Sequence, residues 1–192
     1  MEVIMDSQSK VSTGVAQKEA WNLDKTHSKI QFSARHLVIS EVAGHFNNFD
    51  INFSTSDDLT ESEIEVAIDV KSIDTGISDR DNHLRSADFF DVENFPQIKF
   101  TSTKVEKVND EKYKLIGELT IKNITKPFEF DVIYGGQIKD PWGFQRSGFR
   151  ATASLNRFDY DLKWNALMET GGAVVGKNIN ITVDAEFTKS SN

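Results

Sequence analysis

Lys112-Tyr113-Lys114-Leu115-Ile116-Gly117-Glu118-Leu119-Thr120-Ile121-Lys122 decides the fold. Tyr113, Leu115, Gly117, Leu119 and Ile121 share one side of an extended chain, against Lys112, Lys114, Glu118 and Lys122. A period of two marks a strand with one face buried and the other in water. Working outward, the same period recurs. Downstream it picks out Phe128, Phe130, Val132 and Tyr134, then Phe149, Ala151, Ala153 and Leu155, then Ile179, Ile181, Val183, Ala185 and Phe187. Upstream it picks out Ile98 and Phe100, then Ile64, Val66, Ile68 and Val70, then Phe49, Ile51 and Phe53, then Ile30, Phe32 and Ala34. Eight amphipathic strands follow from this pattern, and each has an apolar face to bury.

The connections predict antiparallel pairing. Lys107 to Glu111 is short enough for a hairpin. Asp140-Pro141-Trp142-Gly143 has type I turn chemistry, with Pro at the second position and Gly at the fourth. Closing the sheet removes its unpaired edges, so an all-β, eight-stranded antiparallel barrel is expected, with a two-sheet sandwich as the rival. Leu84, Ala87 and Phe90 fall at helical spacing, which predicts a short helix within Ser78 to Asp91, between strands three and four. A second helical turn is expected within Phe158 to Leu167. Residues 1–19 are polar and aperiodic and read as a flexible arm, with the barrel domain over 20–192.

Composition narrows the function. The chain has 192 residues, a formal net charge of −8 and no cysteine. Its acidity argues against nucleic-acid binding and against adhesion to anionic lipid by charge. Without cysteine there are no disulfides, thiolate nucleophiles or Cys-bound zinc. The first residues lack the basic and apolar regions of a signal peptide, and no window is apolar enough to span a bilayer, so a cytoplasmic protein without stable membrane insertion is expected. The Asn-x-Thr triplets at Asn123 and Asn180 then read as strand sequence.

Motifs for catalysis are sparse. His27, His36, His45 and His83 are scattered and form no metal-binding spacing. Asp50, Asn52, Ser54, Ser56, Asp58 and Glu61 match the oxygen spacing of a calcium loop, but Thr55 stands where that loop needs Gly and strand residues precede it. Gly171 to Gly176 is glycine-rich, lacks the Lys of a phosphate-binding loop, and reads as a loop over a barrel mouth. No serine is set in a nucleophile elbow.

The interior is then the candidate site. Eight strands enclose either packed side chains or one small ligand. Strands of about ten residues, tilted, give a barrel about 25 Å tall. Ala151, Ala153, Ala185 and Gly117 on the inward faces either admit close packing or leave space for a guest, and both readings stay open.

Several segments carry a family resemblance when taken in order. They are Trp21-Asn22-Leu23-Asp24-Lys25-Thr26-His27-Ser28-Lys29-Ile30-Gln31-Phe32, Gly44-His45-Phe46, Arg80-Asp81-Asn82-His83-Leu84 with Phe89-Phe90-Asp91, Phe95-Pro96-Gln97-Ile98-Lys99-Phe100, Gly117-Glu118-Leu119-Thr120-Ile121, Trp142-Gly143, Gly148-Phe149 and Asn156-Arg157-Phe158-Asp159-Tyr160. From about Trp21 to Thr188 the chain resembles the YceI family of lipocalin-like, polyisoprenoid-binding proteins. The resemblance implies an elongated barrel holding the tail of a polyprenyl phosphate, an isoprenoid quinone or a similar lipid; from the residues themselves no metal is expected, and no cofactor is assigned. Phe32, Phe49, Phe53, Phe100, Leu119, Phe128, Phe130, Phe149 and Leu155 are expected to line the tail. Arg35, His36, Arg80 and His83 are expected at the head. Many relatives are exported, but an arm stands here where a signal peptide would stand, so periplasmic roles are not expected to carry over. The expected role is a carrier or store that does no chemistry. The alternatives are an enzyme acting on an isoprenoid or fatty-acid-like lipid, with His36 and His83 as its acid–base candidates, and a filled interaction module. A homodimer is compatible with the sequence.

Overall fold

Each alternating stretch forms the strand that its period requires. The computed structural model describes residues 17–165 and 174–190. The strands are β1 (Glu19–Leu23), β2 (Lys29–His36), β3 (Ser40–Phe46), β4 (Phe49–Thr55), β5 (Glu63–Asp69), β6 (Ile73–Asp74), β7 (Gln97–Lys107), β8 (Lys112–Ile121), β9 (Ile124–Lys139), β10 (Phe144–Asn156) and β11 (Val175–Ser190), with helix α1 (Ser78–Arg85) after β6. All pairings are antiparallel. β1 pairs with both β4 and β11, which closes the sheet.

The short strands are broken halves of longer ones. β1 and β2 run along successive parts of β11, Leu23 opposite Phe187 and Ile30 opposite Val183. Their corner is stitched to β11 by Asp24 N–H to the Glu186 carbonyl (2.8 Å) and Glu186 N–H to Ser28 Oγ (3.0 Å). Asn47 and Asn48 separate β3 from β4, and a 3-10 turn at Val70–Ser72 separates β5 from β6. Counting each pair as one gives a closed eight-stranded barrel in up-and-down order, as the periodicity requires.

The structure changes several details of the sequence reading. Gly44-His45-Phe46 ends a strand, β3, that the eight alternating stretches do not include. Val70 lies in the 3-10 turn. Helix α1 stops at Arg85, because Ser86 is extended and Ala87 is exposed. The second helical turn is a 3-10 turn at Arg157–Tyr160, and residues 166–167 of that expectation lie outside the described residues. So do residues 1–16 of the arm and Gly171 to Ala173 of the glycine-rich loop, while β1 begins inside the expected arm, at Glu19.

Gly117 decides its own role. A Cβ there would stand 2.3 Å from the Thr101 carbonyl oxygen and 2.5 Å from Phe100 Cζ, so the missing side chain admits the Phe100 ring. Phe53 sits among Trp21, Phe149 and Phe187, with ring centroids 6.3, 5.4 and 4.7 Å away. This cluster closes the interior at the end away from α1.

Candidate functional site

Above that aromatic floor the barrel is hollow. A cavity of about 570 Å³ runs up to α1 and the turns around it, within the usual size of small-molecule sites. Ala151 and Ala185 are on its wall, so here the small residues leave space. Of the residues expected to line a tail, Phe32, Phe53, Phe100, Leu119, Phe130, Phe149 and Leu155 face this cavity. Phe49 and Phe128 do not. Phe49 is buried in the core opposite Ile68, and Phe128 backs the Phe130 ring edge-on at 5.0 Å. Both have the inward parity of their strands, but parity does not report depth along the barrel axis.

The four residues expected at a head group converge on one end. Arg35, His36, Arg80 and His83 all border the cavity, two from the end of β2 and two from α1. Helix α1 is polar, and among its residues only Asp81 is buried. Side-chain hydrogen bonds therefore hold it in place. Asp81 accepts from Thr75 N–H (2.9 Å) and Thr75 Oγ1 (2.6 Å), and Arg85 donates to the Lys71 and Ile73 carbonyls. Arg80 donates Nε–H to Thr75 Oγ1 (2.7 Å) and one Nη2–H to the Thr75 carbonyl (2.8 Å). Among the described residues its other three N–H groups have no partner. His83 meets Asp88 at 3.0 Å and lies edge-on to Phe89 (5.1 Å) and Trp164 (4.6 Å).

Sequence reasoning missed Arg157. It is 2 % exposed and borders the cavity. β11 shifts register against β2 between Val175 and Ile179, so carbonyls there lose their strand partners. Arg157 supplies the donors: Nε to the Gly176 carbonyl (3.0 Å), Nη2 to Val175 (3.2 Å), and Nη1 to Trp164 (2.9 Å) and Leu162. Burial pushes its pKa down, and the four carbonyls stabilise the charged form. The arginine thereby ties the Trp164 segment to the mouth. Its position at the end of an alternating strand was visible, but the bulge it serves was not.

The titratable side chains on the cavity wall are Arg35, His36, Asp79, Arg80, His83, Tyr113 and Arg157. All except Tyr113 lie at the mouth end. His27 and His45 are on the outside. His27, with Asp24 and Glu186, offers three metal-type ligand atoms within 4.8 Å. Arg146 already occupies that cluster, with Nη1 3.0 Å from Asp24 and 2.5 Å from Glu186, and Nε 2.7 Å from Asp140. Hydrogen bonds from Thr26, His27 and Arg146 hold the Asp24 carboxyl far below its ordinary value. The calcium-like run forms no ligand ring. Asp50 and Asn52 point outward from β4, Asp58 caps a 3-10 turn through Thr60 N–H, and Ser56 binds Glu61 at 2.6 Å.

A closed antiparallel barrel with an apolar lumen, an aromatic floor and a polar mouth is a hollow barrel of the lipocalin-like class. The chain belongs to the YceI family: the YceI-like domain model matches residues 21–187. It is 39 % identical to a UPF0312 protein of Staphylococcus epidermidis over 170 residues, covering 88 % of this chain and 96 % of that protein. The YceI protein of Campylobacter jejuni superimposes with a TM-score of 0.71 at 29 % identity, covering 82 % and 90 % of the two chains. A polyisoprenoid binding domain from Saccharophagus degradans shares the fold at 14 % identity and a TM-score of 0.64, covering 87 % and 97 %. Among the described residues no helix is long and apolar enough to cross a membrane.

Proposed function

We propose that the barrel binds one long-chain isoprenoid amphiphile, a polyprenyl phosphate or an isoprenoid quinone, with the tail in the lumen and the head at the mouth, and acts as carrier or store. The observation that carries this reading is the cavity itself: its walls are carbon from the aromatic floor upward, and its charged groups stand together at one end. A guest matching both must be a long apolar chain with one polar end. The polyisoprenoid binding domain of Saccharophagus degradans, with the same fold, supports isoprenoid as the tail class.

The head discriminates more than the tail. A tail is already dry in a bilayer, so transfer into the barrel gains little from the hydrophobic effect. An anionic head would gain from the three N–H groups of Arg80 that are turned to no described residue, and from Arg35; a quinone needs only a neutral hydrogen bond, which His36 could supply. Binding without chemistry fits the wall: among the described residues, Tyr113 apart, an acid or base could act only at the mouth. A cysteine-free chain suits a reducing compartment, and we place the carrier in the cytoplasm, which cell fractionation checks.

Extraction of the purified protein and mass spectrometry of the extract should give isoprenoid lipid in near-stoichiometric amount. A barrel that emerges empty from its native host, and takes up no isoprenoid from detergent solution, would overturn the reading. Arg80→Ala should weaken prenyl diphosphate binding by about 1.5–3 kcal/mol, the worth of a charged hydrogen bond, and quinone binding much less. Equal losses would make Arg80 a clamp on Thr75 only. Turnover of a bound isoprenoid that disappears in His36→Gln or His83→Gln would favour the enzyme reading.

A further inference from the structure

The β2–β3 hairpin breaks a local rule beside the mouth. Its loop is Leu37-Val38-Ile39, with His36 opposite Ser40. Leu37 and Val38 have φ of 51° and 67°, in the left-handed region. Turns of this kind take Asn, Asp or Gly, because a side chain branched at Cβ is strained there. Val38 is nonetheless 61 % exposed and Ile39 86 %. At Val38, the β-branched residue of the two in the left-handed region, the strain therefore supports no burial, and a rule broken without compensation in the fold points to function.

We propose that this tip, with Ile77 (52 % exposed) at the start of α1, is a bilayer-docking rim that opens the lumen onto lipid. The proposal rests on the lipid-binding reading above. Three features favour a bilayer as the occupant. The tip follows directly on Arg35 and His36, which border the cavity, and Leu37 N–H binds the carbonyl of Val174, another wall residue. Arg35 Nη1 holds the Val38 carbonyl at 3.1 Å, so the apolar tip is braced as a wedge. A chain with net charge −8 gains nothing from anionic headgroups, so insertion of apolar side chains must supply the attraction. Docking should then occur on zwitterionic phosphatidylcholine, change little with salt, and weaken as anionic lipid is added.

The test uses the full chain and a variant pair, Val38→Asn with Ile39→Asp, chosen because Asn suits a left-handed turn. Trp142→Asp is the control. Trp142 is 77 % exposed but stands on the β9–β10 turn at the opposite end of the barrel. Flotation of ligand-free protein with phosphatidylcholine vesicles reads docking alone. Uptake of undecaprenyl phosphate or menaquinone from those vesicles, and separately from detergent, reads loading. The double variant should lose flotation and load from vesicles about tenfold more slowly, because each withdrawn apolar side chain weakens insertion multiplicatively. It should load normally from detergent, and Trp142→Asp should behave as the parent. Loading from vesicles at the parental rate would overturn the proposal. So would an equal loss from detergent, which would mean that the hairpin shapes the lumen, or a change of oligomeric state by light scattering in step with the loss, which would make the rim a self-interface. If the parent floats and the double variant does not, yet neither takes up lipid from detergent, docking stands and the ligand reading fails.

Discussion

Phe130→Ala separates a hollow barrel from a filled one. The ring is 8 % exposed, on the cavity wall, edge-on to Phe100 at 5.4 Å and packed on Phe128 at 5.0 Å. In a filled core such a truncation costs about 3–5 kcal/mol. The two aromatic pairs are lost with the ring, at about 0.5–1.5 kcal/mol each beyond burial. One face of the ring looks into the cavity and has no protein atoms to lose, which removes part of the cavity cost. The ligand-free protein should therefore lose about 3 kcal/mol, at the low end of the range. For a domain of this size that lowers Tm by about 6–12 °C. In lipid-loaded protein the tail can occupy the vacated space, so the loss should shrink and the extracted tails should shift to longer homologues. Calorimetry of stripped and loaded protein, with mass spectrometry of the extracts, gives all three quantities. A loss of about 5 kcal/mol or more in both forms, with unchanged tails, is what a filled core gives and would refute the reasoning.

Four further outcomes follow. Phe130→Trp should shorten the longest bound tail and leave the fold intact, and full-length tails in the extract would count against a tunnel at that point. Gly117→Ala should destabilise by about 1–3 kcal/mol in chemical unfolding, because the Thr101 carbonyl cannot move away from the new Cβ; an unchanged midpoint would show that β7 shifts freely. Arg157→Lys should cost about 1–3 kcal/mol, since a single ammonium cannot reproduce the planar fork that reaches four carbonyls at once, and should loosen the Trp164 segment in hydrogen exchange. The last concerns pH. Asp140 is pushed up by burial, but Arg146 and the N–H groups of Phe144 and Trp142 outweigh this, so its pKa, like that of Asp24, is lowered on folding. A lowered folded pKa stabilises above the unfolded carboxyl value, near 4, and that stability is lost as pH falls below it. The Tm gap between the parent and Arg146→Met should therefore be widest at neutral pH and narrow in acid; a gap that does not vary with pH would show that Arg146 acts by packing.

The eight long strands were legible because each keeps its period over enough residues to stand out. β3 has the same period in Val42, Gly44 and Phe46, but a glycine in the middle hides it, and β1 and β6 are too short to show one. The convergence of Arg35 and His36 with Arg80 and His83 was readable from strand polarity, which brings the end of β2 and the start of α1 to the same end. Phe49 and Phe128 were placed on the lumen by face alone, and depth along the axis is fixed by tilt and stagger, which no single strand reveals. Arg157 was invisible as a site residue because its partners are backbone carbonyls, two at the β11 register shift and two in the segment after the 3-10 turn, and neither leaves a side-chain signature. The Leu37-Val38-Ile39 tip, with Val38 and Ile39 exposed, was also unreadable, since three apolar residues between alternating strands look like continued strand.

The way the barrel closes also bears on how it is made. The seam lies between β1 and β11, where Lys189 and Glu19 form an ion pair across 170 residues of chain. The same seam continues along β2, whose partner is also β11; the other neighbouring pairs of strands are closer in sequence and can zip earlier, but the seam can form only when β11 exists. Until then β1 and β10 are open ribbon edges beside an uncovered apolar trough, and the entropy of joining distant ends opposes the final step. The slow phase in refolding should accordingly be the seam. A chain re-cut to begin at the β4–β5 turn and joined through a short linker from β11 to β1 should keep the same lumen and move the slow step to the β4–β5 pair, now the join between distant ends.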